Sequence, residues 1–318
     1  MIDMLLTLLK IASVIAVVLL HVAYAVYFER KVIGHMQGRM GPMRVGWHGL
    51  LQPIADFVKL FFKEDIIPAN ADKPIFYFAP VIGVIAAFSS FAVIPFWQHF
   101  SIASLNIGIL FILALSSLGT YSIILAGWAS NSKYSFLGAL RSSAQVISYE
   151  IAMGLSLVSI MMFAGSANLS EIVEAQTQGW FILKGTHLVA FFVFLMAAVA
   201  ETNRTPFDLP EAETELVAGY ATEYSGIRFG LFFMAEYAGM FVMSALGTVC
   251  FLGGWNGPEF LPGWVWFLLK VYGFIFFYYW IRATLPRYRY DQLMGLGWKL
   301  FIPLALANIV ITALMKLL

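Results

Sequence analysis

Residues 187–215 read HLVAFFVFLMAAVAETNRTPFDLPEAETE, a run that is apolar in its first half and acidic in its second. The first fourteen residues contain one polar member, His187. The next fifteen hold five carboxylates, and Glu223 follows shortly after them. Such a run predicts a membrane-embedded helix that leads into a polar functional segment at one membrane face.

The composition of the whole chain agrees with a membrane protein. The 318 residues are 61% hydrophobic and only 12% charged, and the mean hydropathy is +0.82, whereas an average globular chain is about a quarter charged. Strand-like alternation is absent, which argues against a barrel. At about 20 residues per span we predict an all-α, polytopic protein with eight transmembrane helices in one domain, 1–318. The predicted spans are about 4–28, 76–97, 105–128, 142–164, 186–204, 229–252, 264–285 and 297–317.

Several classes of function are disfavoured by the residues that are scarce. The net charge of +1 gives no basic field for nucleic acid. A single cysteine, Cys250, cannot form a disulfide or hold an iron–sulfur cluster by itself. None of the five histidines pairs with another on one predicted span, which argues against a multi-haem cytochrome. We therefore predict no metal site and no redox cofactor bound by this chain.

The basic residues predict how the chain is oriented. Most of the 19 Lys and Arg residues lie in alternate connections, and the opposite connections hold only Lys184. By the positive-inside rule, the basic connections face inward and both termini face outward. The inward basic residues are Arg30, Lys31, Arg39, Arg44, Lys59, Lys63, Lys73, Lys133, Arg141, Arg204, Arg228, Arg282, Arg287, Arg289 and Lys299.

The first inward loop, residues 29–75, is predicted to contain an amphipathic helix over GLLQPIADFVKLFFKE (49–64). Its apolar residues recur at spacings of three and four, and Pro53 suits a first turn. The helix is too polar to span and would lie along the interface. It is interpreted either as an anchor on anionic lipid or as the entrance for a lipid-like substrate.

Carboxylates also occur inside the predicted spans. Glu150 and Glu236 lie roughly 13 Å from the inner end of their helices, at 1.5 Å per residue, and Glu201 lies near such an end. They are interpreted either as protonated groups that join helices by hydrogen bonds or as functional acids, because ionisable groups in a membrane are usually functional.

The acidic inward loop, 201–228, carries more carboxylates than the stability of the fold requires. Asp208 and Glu211 fit a helix-capping box, but Glu211 and Glu215 repel each other on one helical face. Clustered carboxylates titrate jointly. We therefore predict a line of acids that carries protons or senses a charge change at a bound ligand.

Three segments together resemble one family. They are ERKVIGHMQGRMGPMRVGWHGLLQPIADFVKLFFKE (29–64), SNSKYSFLGALRSSAQVISYE (130–150) and ETNRTPFDLPEAETELVAGYATEYSGIRFGLFFMAEY (201–237). The chain is similar to the H subunit of bacterial NADH:quinone oxidoreductase, respiratory complex I, and to mitochondrial core subunit 1. The resemblance covers nearly the whole chain. The LPEAE form of the acidic loop favours a bacterial inner membrane over a mitochondrial one.

The resemblance implies a subunit that forms the quinone tunnel entrance and couples quinone reduction to proton pumping. Quinone would be the substrate, NADH, flavin and iron–sulfur clusters would belong to other subunits, and the partners would be the hydrophilic redox arm, antiporter-like membrane subunits and lipid. It assigns quinone-tunnel roles to Glu29, Arg30, Arg39 and Asp56, and coupling roles to Glu150, Glu201, Asp208, Glu211, Glu213, Glu215, Glu223 and Glu236, with Arg204 in the same motif. Met40 and Trp47-His48 depart from the family pattern, and both departures lie in the loop of the expected tunnel mouth.

Two other functions stay open from the sequence. One is the equivalent membrane subunit of an energy-converting hydrogenase or a ferredoxin- or F420-linked dehydrogenase, against which the quinone-loop motif argues. The other is a self-sufficient proton-coupled transporter, against which the lack of a clear inverted repeat argues.

Overall fold

The computed structural model describes residues 2–98, 100–208 and 218–317, and within these ranges the chain is helical. Short 3-10 turns at Trp47–Gly49, Phe181–Leu183 and Gly219–Ala221 connect some of the helices. The helices are α1 (Ile2–Met36), α2 (Gln52–Phe62), α3 (Lys73–Ser90), α4 (Gly108–Ala129), α5 (Lys133–Ala164), α6 (Leu169–Glu174), α7 (His187–Glu201), α8 (Gly226–Phe251), α9 (Gly263–Thr284) and α10 (Tyr290–Leu317), the last with a π-helical turn at Gly297–Phe301.

The predicted all-α membrane class is confirmed. Over the described ranges, seven helices are long and apolar enough to cross a membrane, namely α1, α3, α4, α5, α8, α9 and α10. Helix α7 is apolar but has only 15 residues, or roughly 22 Å at 1.5 Å per residue, which is less than the roughly 30 Å of a hydrocarbon core. The count of eight spans therefore stays a prediction.

The end of α7 has a local cause. Asn203 has a positive φ of 48°, a left-handed conformation that cannot continue a right-handed helix and that asparagine tolerates better than most residues. The chain therefore turns away after Glu201, short of the predicted end near residue 204. This turn places Arg204, which is buried, directly beside the end of the helix.

Other helix boundaries also differ from the sequence prediction. Helix α10 begins at Tyr290 rather than near residue 297, and α3 ends at Ser90 rather than near residue 97. Helix α1 continues to Met36 rather than ending near residue 28, so Glu29 and Arg30 are carried on a helix and not on a loop. Helix α5 begins at Lys133 rather than near residue 142. Hydropathy marks only the apolar part of a helix, and polar turns that extend it are missed.

The predicted amphipathic helix is present as α2, with Pro53 in its first turn. Gln52 and Asp56 lie toward α1, where the Gln52 amide donates to Asp56 Oδ1 at 3.0 Å. The side chains of Phe57, Phe61 and Phe62 are exposed. An exposed apolar face beside a polar one suits a membrane interface, and this location stays a prediction.

The core lies among α5, α7, α8 and α9. Large side chains that are fully buried there include Tyr149, Phe194, Phe251 and Phe267. Helix α8 supplies a continuous buried stretch from Ser244 to Phe251. Helix α3 packs against both α4 and α8. The site described next is formed where α1, α8, α9 and the segment after α7 meet.

Candidate functional site

Arg204 joins two carboxylates that come from different helices. Its Nη1 donates to Glu29 Oε1 at 3.0 Å and lies 3.3 Å from Glu29 Oε2, while its Nη2 lies 3.0 Å from Glu236 Oε1. The guanidinium also sits over the Tyr237 ring, 4.5 Å from the centroid. Arginine stays charged in proteins, so this buried cation fixes the relative position of α1, α8 and the end of α7.

Glu29 is the most densely contacted carboxylate of the site. Besides Arg204, it accepts a hydrogen bond of 2.6 Å from the Tyr237 hydroxyl and forms an ion pair with Arg282 on α9. Glu29 is buried, whereas Arg282 is partly exposed. Two guanidinium groups thus form ion pairs with two carboxylates. Removing one partner of such a buried pair is strongly destabilising.

A cavity of about 540 Å³ opens beside this cluster. We call it the arginine cavity, because four arginines line it. Its apolar lining includes Val26, Ile33, Phe229, Phe232 and Phe233, and its polar lining comprises Glu29, Arg30, Arg39, Asn203, Tyr220, Glu236, Tyr237, Arg282 and Arg287. Its size falls within the roughly 300–1,000 Å³ of typical small-molecule sites.

The arginines of this cavity differ in their partners. Arg30 pairs with Asp56 at 2.8 Å, and Arg287 pairs with the buried Asp208 at 3.1 Å. Arg39 donates its Nε to the neutral side chain of Gln37 at 2.8 Å. In the described part of the chain, the hydrogen bond of Arg39 goes to a neutral group, whereas the other three cavity arginines pair with carboxylates.

A second, smaller cavity of about 130 Å³ lies beyond Glu236. We call it the acid cavity, because Glu201 and Glu236 both line it. Asn203, Tyr220, Phe232 and Glu236 line both cavities. Glu236 therefore stands at the boundary between the two.

Two serines of α4 connect Glu201 with Glu150. Ser116 Oγ donates to Glu201 Oε1 at 2.5 Å and lies 3.4 Å from Glu150 Oε1, and Ser117 Oγ donates to Glu150 as well. A hydroxyl carries one proton and two acceptor sites. When Ser116 donates to Glu201, it can accept a hydrogen bond from Glu150 only if Glu150 is protonated. The arrangement suits the passage of a proton between the two acids.

The structure brings together many, but not all, of the residues singled out by sequence. Glu29, Arg30, Arg39 and Glu236 line the arginine cavity, and Asp56 pairs with one of them. Glu150 does not line the acid cavity, but it contacts the lining residue Ser116. Glu223 lines neither cavity. Glu211, Glu213 and Glu215, and with Glu211 the proposed capping box, lie outside the described residues.

Among the side chains of this site that sequence reasoning missed are Ser116, Ser117, Tyr237, Arg282 and Arg287. In the sequence, Arg282 and Arg287 mark only the orientation of the chain. A signal existed for Tyr237, which directly follows an intramembrane acid, whereas serines in an apolar helix are common and gave none. Met40 and Trp47, which depart from the family pattern, are 76% and 77% exposed. Neither residue lines the arginine cavity.

Comparison with known proteins gives concordant results over nearly the full chain. A family model described as NADH dehydrogenase matches residues 9–313. The NADH-quinone oxidoreductase H subunit 2 of Geobacter metallireducens is 58% identical over 327 residues, with 96% of this chain and 94% of the relative covered. The H subunit 1 of Geobacter sulfurreducens is 56% identical, with 96% and 93% covered. The H subunit of Magnetococcus marinus is 54% identical, with 97% and 90% covered.

These matches agree with a chain made of long apolar helices. The chain belongs to the family of the NADH-quinone oxidoreductase H subunits and is a multi-pass membrane subunit of that respiratory complex.

Proposed function

We propose that the arginine cavity receives the headgroup of a quinone, the substrate of the complex. Its apolar walls at Ile33, Phe229 and Phe233 suit an isoprenoid-bearing ring, and its arginines can donate hydrogen bonds to quinone carbonyl oxygens. The names of the relatives favour quinone over the acceptors of a hydrogenase or a ferredoxin-linked dehydrogenase.

The observation that carries this proposal is the position of Arg204. It touches Glu29 on the wall of the arginine cavity and Glu236 on the boundary with the acid cavity. A change of charge or protonation in the arginine cavity therefore acts on Arg204, and through Arg204 on Glu236. Low dielectric surroundings strengthen such coupling.

The acids beyond Arg204 provide the path for protons. In this proposal a proton moves between Glu236 and Glu201 across the acid cavity and between Glu201 and Glu150 through Ser116. Adjacent buried carboxylates cannot all ionise at low cost, so we expect at least one of them to hold a proton. Asp208, Glu223 and the acids at 211–215 would supply the inward end of the same path.

The remaining parts of the proposal concern the setting of the chain. Quinone would pass from the bilayer beside α2, which would lie in the interface against lipid. The basic connections would face the cytoplasm of a bacterium, with both termini outside its inner membrane. The hydrophilic redox arm would dock on the inward face and supply the electrons, and antiporter-like subunits would receive the coupling signal.

The orientation is tested by reporter fusions. A periplasm-active phosphatase fused after Pro258 is expected to be active, and the same reporter fused after Lys133 is expected to be inactive. A cytoplasm-active fluorescent reporter should give the opposite pattern at the two positions. The physical reason is the concentration of Lys and Arg in alternate connections. Opposite results to these at both positions would overturn the orientation, and equal results at the two positions would overturn the predicted number of spans.

The quinone site is tested at Arg39. Arg39→Ala in the assembled complex is expected to lower NADH:quinone activity by about tenfold, since a hydrogen bond from a charged donor contributes about 1.5–3 kcal/mol. Reduction of ferricyanide by the NADH-oxidising arm should be unchanged. Arg44→Ala is the matched control, because Arg44 is exposed on the same loop and lines neither cavity. Equal loss of both activities in Arg39→Ala, or equal effects in the two variants, would refute the assignment.

A further inference from the structure

Lys270 lies on α9, far from the site described above. It is roughly 10 Å along the helix from Gly263, the first residue of α9, whereas Arg282 lies in the last turn of the same helix. A lysine near the end of a membrane helix usually extends its amine to water or pairs with an acid. Within the described ranges, no ion pair includes Lys270.

The amine of Lys270 is surrounded by backbone carbonyl groups instead. Its Nζ donates to the carbonyl oxygens of Leu252 at 2.7 Å, Gly254 at 2.9 Å and Asn256 at 2.6 Å. The ring of Trp180 lies beside it, with its centroid 4.9 Å from Nζ, and the face of an indole ring attracts a cation. We call these three carbonyls and this ring the carbonyl cradle.

Two glycines give the cradle its shape. Gly253 and Gly254 have positive φ angles of 72° and 52°, a left-handed conformation that glycine adopts without steric cost. A Cβ at Gly253 would lie 3.0 Å from Trp180 Cδ1, and a Cβ at Gly254 would lie 2.7 Å from Val173 Cγ2. The backbone therefore turns sharply and also approaches the segment 173–180 closely, so that alternate carbonyl groups meet at the Nζ atom of Lys270.

The three acceptors require the charged form of Lys270. A neutral amine has only two N–H bonds, and its lone pair would face a third carbonyl oxygen, which has no proton to donate. The ammonium form has three donors and satisfies all three carbonyls. Leu252 is also the C-cap of α8, where the helix dipole places partial negative charge. The cradle thus takes the place of a carboxylate as the counter-charge of Lys270.

We propose that the carbonyl cradle is a binding site for a primary ammonium group, which Lys270 fills in this chain. The bound charge holds the end of α8 against α9 and against the segment 173–180. This inference does not depend on the proposed quinone site or on the proposed path for protons.

Other hydrogen bonds keep the cradle in place without the lysine. Gln176 Nε2 donates to the Val249 carbonyl at 2.7 Å, and Asn256 Nδ2 donates to the Val173 carbonyl at 2.8 Å. These bonds are independent of Lys270. A chain that lacks the lysine side chain should therefore keep the site and bind a small amine from solution.

The test uses Cys250, the single cysteine of the chain, which is buried in the last turn of α8. Lys270→Ala in the purified, assembled complex is expected to raise the rate at which methyl methanethiosulfonate labels Cys250 by about tenfold or more, because the lost hydrogen bonds from a charged donor make local opening easier. Mass spectrometry of this chain identifies the labelled peptide. Lys316→Ala is the matched control, because the Lys316 ammonium donates to the exposed Met162 carbonyl on α5. Labelling of Lys270→Ala at the wild-type rate would overturn the proposal.

Chemical rescue then identifies what the site binds. The atoms that Lys270→Ala removes are those of n-propylammonium. Adding n-propylammonium chloride should return the labelling rate of Cys250 in this variant toward the wild-type rate. The neutral n-propanol, and tetramethylammonium, a cation without N–H donors, should have no effect. Rescue by none of the three compounds, or equally by all three, would overturn the ammonium site.

A second variant keeps the test decisive if Lys270→Ala fails to assemble. Lys270→Gln keeps most of the length of the side chain and two N–H donors but carries no charge. Labelling of Cys250 should again be faster than in the wild-type complex, because the three carbonyls then lack their cation. A wild-type rate in Lys270→Gln would refute the need for an ammonium group. Both readouts stand whether or not Arg39→Ala affects quinone reduction.

Discussion

Arg204→Ala is expected to lower NADH:quinone activity by about a hundredfold or more, the largest effect of any single substitution considered. Removing one partner of a buried ion pair typically destabilises the local structure by about 3–5 kcal/mol, because the other charge is left buried and unpaired. Arg204 pairs with two acids, Glu29 and Glu236. The loss should appear in quinone-linked NADH oxidation and in proton pumping, measured in vesicles, while ferricyanide reduction is retained.

Two further variants separate the role of Arg204 from simple stability. Arg204→Lys keeps the charge but lacks the planar fork that reaches two carboxylates at once, so it should recover only a small part of the activity. Arg289→Ala is the matched control, because Arg289 forms an ion pair with Asp291 that is largely exposed and such pairs contribute about 0–1 kcal/mol. Full activity in Arg204→Lys would contradict a bridging role. Loss of ferricyanide reduction in Arg204→Ala would point to failed assembly of the complex.

Glu236→Gln is expected to abolish most proton pumping together with most quinone-linked turnover. The substitution keeps the volume and hydrogen-bonding capacity of the side chain but removes its ability to titrate and its ion pair with Arg204. If Glu236 only joined helices by hydrogen bonds, glutamine would be nearly equivalent. Glu174→Gln on the exposed surface of α6 is the control. Wild-type pumping and turnover in a normally assembled Glu236→Gln complex would remove this residue from the path.

The fold class could be predicted from sequence because a membrane span needs a long apolar run, and such runs are visible in composition alone. The predicted helix boundaries were least accurate where polar residues form part of a helix. The extension of α1 to Met36 carries Glu29 and Arg30, which hydropathy reads as loop. The early end of α7 depends on the backbone of Asn203, and a single asparagine does not reveal its φ angle in the sequence.

The site was only partly predictable for a related reason. Intramembrane acids are rare, so Glu150, Glu201 and Glu236 stood out against their apolar neighbours. The side chains that contact these acids could not be recognised in the sequence. Ser116 is far in sequence from both acids it contacts, and Arg282 lies at the polar end of α9, where a basic residue is ordinary. Distances between such groups depend on helix packing, which no local pattern encodes.

The central claim is that quinone chemistry in the arginine cavity changes the protonation of the acids beyond Arg204. Infrared difference spectroscopy between the oxidised and the quinol-loaded complex tests it most directly, because protonated carboxyl groups have a distinct carbonyl stretch. We expect a redox-dependent carboxyl band in the wild-type complex that is lost in Glu201→Gln and in Arg204→Ala but retained in Glu174→Gln. An identical band in all four complexes would contradict the account.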